Sequence, residues 1–317
     1  MISKVLNTKE TSVMFALILL IMIFSVLSDN FFSLPTFSSI ASVSTEMGIL
    51  ALGATILMIA GEFDLSLGSN FALSGMVFAL LTTSFGINPL IALLCAMVCG
   101  GSIGFINGFI TLKTRIPSFI TTLGTMLIFR GLVLVVTDGF PIAAMESNSV
   151  LGWFVADLGY GFKSSLLWWL ALSVYFLYIL NYHPLGNLIM ATGANQEAAF
   201  CMGVKVERIK MLCFIITGLL ASLAGVIQYA HMLSLSPTAG EQYELRAIAI
   251  AVIGGSTLSG GAGTMLGTFL ATLIMGVLAS GLVQAGVSTY WFRALVGAIL
   301  VMAVIMNTNL KRLQEEA

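Results

Sequence analysis

The chain has 317 residues, 58% of them hydrophobic and 9% charged, with a formal net charge of −1. A soluble domain carries about 25% charged residues, so this chain lacks the surface to stay in water and reads as an integral membrane protein. The near-neutral charge gives no basic patch for a nucleic-acid partner, and Cys95, Cys99, Cys201 and Cys213 lack metal-ligand spacing, so no metal is expected.

A helix needs ~20 apolar residues to cross a bilayer. The sequence predicts an all-α polytopic bundle of about ten transmembrane helices, at roughly 11–28, 38–60, 67–85, 89–112, 117–137, 164–182, 211–229, 243–259, 263–283 and 289–306. The first has no small-residue cleavage site after it and reads as a retained span, not a signal peptide. Pro89 and Pro117 suit the first helical position, where a missing amide costs nothing. Gly100, Gly104 and Gly108 recur every four residues and predict a close helix contact, as do Gly263 and Gly267. The 243–259 segment has a short apolar core ending in Gly254-Gly255-Ser256-Thr257, so a full span and a broken or re-entrant helix both remain open.

Residues 183–210 form the longest polar run between apolar segments. Asn195 can N-cap a helix there, Glu197 suits its first turn, and Gly203 can end it in the left-handed conformation, which predicts two turns over about Gln196 to Met202. Ala199 and Met202 are expected to share a face. With ten spans, the inner loops hold Lys4, Lys9, Lys113, Arg115, Lys205, Arg208, Lys210, Lys311 and Arg312, and the outer loops only Lys163. The positive-inside rule then places both termini and the 183–210 loop in the cytoplasm.

Charged and polar residues inside spans are costly and are functional candidates. They are Glu46, Asn107, Thr121, Thr122, Thr125, Arg130, Gln228, Glu244 and Arg246. Two readings stand for each: a lining for a polar solute, or hydrogen bonding and pairing between helices, such as Glu244 with Arg246. His183 and His231 are isolated at span ends and read as interfacial. Asp64, between two apolar runs, is either solvated or a cap for a helix over about Ser66 to Leu81. No glycine-lysine-serine/threonine phosphate loop and no enzyme-like nucleophile or carboxylate pair occurs, so ATP chemistry and catalysis are not expected in this chain.

Glu197-Ala198-Ala199 with Gly203 resembles the coupling loop of ABC importer permeases. Asp64-Leu65-Ser66-Leu67-Gly68-Ser69, Pro117-Ser118-Phe119-Ile120-Thr121-Thr122-Leu123-Gly124, and Tyr243-Glu244-Leu245 through Gly254-Gly255-Ser256-Thr257-Leu258 to Gly260-Gly261 resemble signatures of the ribose-type simple-sugar ABC permeases. Glu62 departs from a frequent glycine in that family, and Arg246 from an acidic residue of some members. The resemblance implies one transmembrane permease domain over residues 1–317, in the bacterial inner membrane. Asn195, Glu197, Ala198, Ala199 and Gly203 would dock an ABC ATPase subunit, which binds the ATP and Mg; this chain would hold no cofactor. Asp64, Leu65, Ser66, Gly68, Ser69, Gly254, Gly255, Gly260 and Gly261 are its signature positions. Glu46, Asn107, Thr121, Thr125, Gln228 and Glu244 are the candidate translocation path. Further implied partners are a periplasmic or extracellular solute-binding protein, a second permease copy or paralogue, membrane lipid, and a ribose-, xylose- or galactose-like sugar. The alternatives are a sugar-like signal such as autoinducer-2, another small polar solute, an ATP-independent secondary transporter or channel, and a non-transporting scaffold.

Overall fold

A run of apolar helices, each too greasy for water, sorts here by how much of it faces protein. The computed structural model describes residues 9–144, 149–288, 290–292, 294–298 and 301–302. In chain order the helices are α1 (Lys9–Leu27), α2 (Leu34–Ile59), α3 (Leu67–Thr83), α4 (Pro89–Thr114), α5 (Ser118–Thr137), α6 (Ser149–Val155), α7 (Ser165–Tyr182), α8 (Pro184–Ala194), α9 (Gln196–Cys201), α10 (Val206–Met232), α11 (Tyr243–Ile253) and α12 (Met265–Gln284). A short antiparallel ribbon pairs β1 (Ile142–Ala143) with β2 (Ser234–Leu235). Among the described residues, seven helices are long and apolar enough to cross a membrane: α1, α2, α4, α5, α7, α10 and α12. The last span expected from the sequence, 289–306, and both chain ends lie partly or wholly outside the described residues.

The central helix is α2, whose apolar window is 83% buried against 11% for α1 and 28% for α4, α5 and α7. Helices α10 and α12 pack beside α2 and share the interior with it. Along the α4–α10 contact, a Cβ on Gly104 would strike the Phe214 carbonyl, and one on Gly100 would lie 2.5 Å from Ser222 Cβ. The glycines therefore bring two backbones together where dispersion and short polar contacts replace the hydrophobic effect. Ser222 Oγ donates to the Ala96 carbonyl at 2.8 Å, and Asn70 Nδ2 reaches the carbonyls of Gly100 at 3.2 Å and Gly218 at 3.4 Å.

Several expectations change in three dimensions. Gly263 and Gly267 do not form a helical face: Gly263 precedes α12 and abuts Ser256 and Ile59, while Gly267 sits on the Gly254 backbone. Pro117 is the residue before α5 and not its first turn, whereas Pro89 does open α4 behind the cap Asn88, whose Oδ1 accepts from the Leu90 amide at 2.9 Å. Of the 243–259 segment only the 11 residues of α11 are helical. At ~1.5 Å per residue that is about 16 Å, half of a ~30 Å hydrocarbon layer. The preceding strand and loop complete the path inside protein: Leu235 packs on Gly75 in α3, and Gly240 on Gly68 and Phe71. Irregular backbone at that depth is tolerated because α3 covers it.

Candidate functional site

Glu46 of α2, Gln228 and His231 of α10, Tyr243 and Arg246 of α11, and Gln284 of α12 line one cavity of about 680 Å³, together with Phe292. The Arg246 guanidinium lies 5.4 Å from the Tyr243 ring centroid and 5.1 Å from that of Phe292, a double cation–π arrangement. Glu46 Oε1 pairs with His231 Nδ1 at 2.9 Å, and His231 Nε2 bonds Ser165 Oγ, at the start of α7, at 2.8 Å. Among the described residues, Gln228 Oε1 and Gln284 Oε1 are buried acceptors with no protein donor. Gln284 spends its amide nitrogen on Thr36 Oγ1. A buried acceptor left without a donor costs about 1–3 kcal/mol, so the two carboxamides are under-satisfied polar groups among the residues that line the cavity.

A second cluster surrounds the turn between α2 and α3. Asp64 is buried, and its Oδ1 accepts from the Ser66 amide and the Ser66 hydroxyl, both at 2.7 Å. Asn107 Nδ2 of α4 lies 3.3 Å from Asp64 Oδ2 and 2.7 Å from Ser66 Oγ, while Asn107 Oδ1 accepts from Thr125 of α5 at 2.7 Å. The neighbouring amides of Phe63 and Leu65 donate to Ser118 and Thr122 of α5, each at 3.0 Å. Residues 118 and 122 are one helical turn apart and so face the same turn. The carboxylate is thus not solvated. It fixes the entry to α3 from two residues before the N-cap Ser66, as an Asx-type turn, while Ser66 itself makes no side-chain cap bond.

Gly61, just past the end of α2, and the Gly260-Gly261 pair meet Gly193 at the base of the 183–210 segment. A Cβ on Gly260 would lie 2.8 Å from Gly61 Cα and 2.9 Å from the Gly193 carbonyl, and the Gly261 amide donates to the Ile59 carbonyl at 2.8 Å. The segment is not an open loop: α8 and α9 occupy it, and α10 begins at Val206. Asn195 Oδ1 accepts from the Ala198 amide at 2.9 Å, and Gly203 takes φ +85°, as the cap pattern predicts. Ala199 is buried, but Met202 is the C-cap residue and 85% exposed, so the two do not share a packed face. The exposed apolar side chains here are instead Phe200 of α9 and the C-cap Met202. Lys210 is not a loop residue either. It is buried in α10, where its Nζ donates to Glu62 Oε1 at 2.6 Å and to Gln196 Oε1 of α9 at 2.9 Å.

The candidate path residues thus separate. Glu46 and Gln228 reach the cavity. Asn107 and Thr125 belong to the Asp64 cluster. Glu244 is buried beside Gly68, Thr121 is buried with an unpartnered hydroxyl, and Arg130 donates to the carbonyls of Pro237 at 2.7 Å and Ala239 at 2.8 Å. His231, which looked interfacial, bonds inside the bundle to a residue 185 positions away, a contact with no local sequence signal. Gln284 and Phe292 were missed for the same reason. His183 accepts from the Leu185 amide at 3.2 Å and caps α8.

Long apolar helices around a partly polar cavity, with a broken helix at its wall, define a polytopic transport-type membrane protein. The chain belongs to the family described as branched-chain amino acid transport system / permease component, whose model matches residues 36–304. It is a multi-pass inner-membrane permease. It is 37% identical over 308 residues to the ribose import permease protein RbsC of Escherichia coli (strain K12), covering 96% of this chain and 94% of that protein. It is 36% identical to the ribose import permease protein RbsC of Bacillus subtilis (strain 168), covering 92% and 90%. It is 31% identical to the autoinducer 2 import system permease protein LsrC of Photorhabdus luminescens, covering 98% and 93%. No solved structure gives a significant match.

Proposed function

We propose that this chain is the membrane-spanning subunit of an ATP-binding-cassette importer that carries a simple sugar. The observation that carries the reading is the cavity lined by the polar side chains of Glu46, Gln228 and Gln284 beside the rings of Tyr243 and Phe292. A pyranose or furanose offers hydroxyl donors to such acceptors and C–H faces to such rings. Glu46 and Gln228 then lie on the translocation path, while Asp64, Asn107 and Thr125 hold its wall. Similarity to ribose import permeases supports the sugar class. The exposed Glu197 and Phe200 of α9, with Met202 at its C-cap, make the docking face for a separate ATPase, and a solute-binding protein delivers the sugar at the opposite end. Lys113, Arg115, Lys205 and Arg208 all border grooves at the α9 end of the bundle, which supports a cytoplasmic position for that end.

The test is uptake by proteoliposomes holding this permease with its ATPase and binding protein. Radiolabelled ribose, xylose and galactose are offered singly, with autoinducer-2 as the competing solute. ATP-dependent uptake of a sugar is expected, reduced about tenfold by Gln228→Leu, the effect of ~1.4 kcal/mol in one hydrogen-bonded contact. Uptake that proceeds without ATP, or of autoinducer-2 alone, refutes the reading.

A further inference from the structure

We propose that the groove between the C-terminal turn of α4 and the N-terminal turn of α10 is a binding site for one anionic phospholipid. The groove opens where the glycine seam ends. A Cβ on Gly108 would lie 2.9 Å from Met211 Sδ and 3.2 Å from Phe214 Cβ, so the two helices still touch there. One turn further on, no glycine remains to hold them together, and a space of about 660 Å³ appears.

Its lining is graded along the bundle axis. Phe109 and Leu112 of α4 and Met211, Leu212 and Ile215 of α10 form the apolar floor, and Lys113, Arg115 and Arg208 the mouth. Phe109 and Arg115 are six residues apart, or about 9 Å along a helix, which is the scale on which a phospholipid passes from acyl chain to phosphate. The charge at the mouth is three basic side chains against the single carboxylate Glu207. None of these four forms an ion pair with a described residue. The α10 turn also offers the positive end of a helix dipole and the α4 turn the negative end, so the side chains decide the sign. A juxtamembrane basic residue attracts an anionic headgroup by roughly fivefold in affinity. A water-soluble partner is the poorer fit, because Phe109 is 52% and Leu212 38% exposed at the apolar depth, where only lipid tails reach.

The experiment titrates purified permease in mild detergent with phosphatidylglycerol or phosphatidylcholine and counts bound lipids by native mass spectrometry. The wild type is expected to retain one phosphatidylglycerol at least about tenfold better than phosphatidylcholine. The triple variant Lys113→Gln/Arg115→Asn/Arg208→Gln should lose that preference. Asn is used at position 115 because the backbone there has φ +60°. Ile215→Trp, which fills the floor and leaves the charges, should lower retention of both lipids. Lys163→Gln, far from the groove, should change nothing. Retention of phosphatidylglycerol by the triple variant at the wild-type level overturns the proposal. So does loss of ATPase-subunit binding in that variant with lipid retention unchanged, which would assign the groove to the protein partner.

Discussion

Removing Lys210 should expose how much the bundle depends on one buried ion pair. The Lys210 and Glu62 side chains are 8% and 12% exposed, and Nζ also bonds Gln196. Breaking a buried pair from one side costs about 3–5 kcal/mol, because the surviving charge has lost its partner in a poor solvent for ions. Lys210→Met leaves the Glu62 carboxylate alone. At ~2–4 °C per kcal/mol for a protein of a few hundred residues, the unfolding midpoint should fall by on the order of 10 °C. Glu62→Leu should be milder, since Lys210 keeps its bond to Gln196. The double variant Glu62→Leu/Lys210→Met removes both charges and should return to within about 1 kcal/mol of wild type. The assay is thermal unfolding of the detergent-purified permease, followed by monodispersity on gel filtration across the double-mutant cycle. A double variant as unstable as Lys210→Met, or a Lys210→Met midpoint within about 2 °C of wild type, a shift worth no more than about 1 kcal/mol, would refute the reasoning.

At Asp64, the Ala variant strands the Ser66 amide and the Ser66 hydroxyl, a loss of about 2–6 kcal/mol at ~1–3 per buried donor; the expected result is low yield of folded permease on gel filtration. Asp64→Asn should also impair uptake by setting one amide nitrogen against that of Asn107, and Asn107→Asp in the same chain should restore it; failure of the pair to recover would remove the network reading. Gly193→Ala should destabilise the permease severely, since its Cβ would strike the Ile59 carbonyl and Gly261 amide, whereas Gly124→Ala, in open space, should raise or leave the unfolding midpoint. Glu197→Lys, at an exposed position of α9, should weaken co-purification of the ATPase subunit while leaving the unfolding midpoint unchanged; normal co-purification and normal uptake would count against the docking role.

Local chemistry made much of this protein legible in its sequence. Cap residues act within one turn, so Asn195 and Gly203 delimit α9 without help from the rest of the chain. Small-residue spacing needs only helical geometry, so Gly100, Gly104 and Gly108 announce a close neighbour, though not that it is α10. Composition sufficed for the membrane, because water cannot solvate so apolar a surface. Hydropathy could not say which apolar helix is central: α1 has the higher mean hydropathy, 2.4 against 1.6 for α2, yet α2 is sheathed in protein and α1 mostly faces outward, since lipid and core are equally apolar solvents. Nor could it bring Glu46 to His231, Glu62 to Lys210, or Gly61 to Gly193 and Gly260. These contacts join residues more than a hundred positions apart, and only the packing of whole helices sets their distance. The cavity, the buried Asp64 turn and the ion pair that ties α10 to the turn after α2 are therefore properties of the tertiary structure alone.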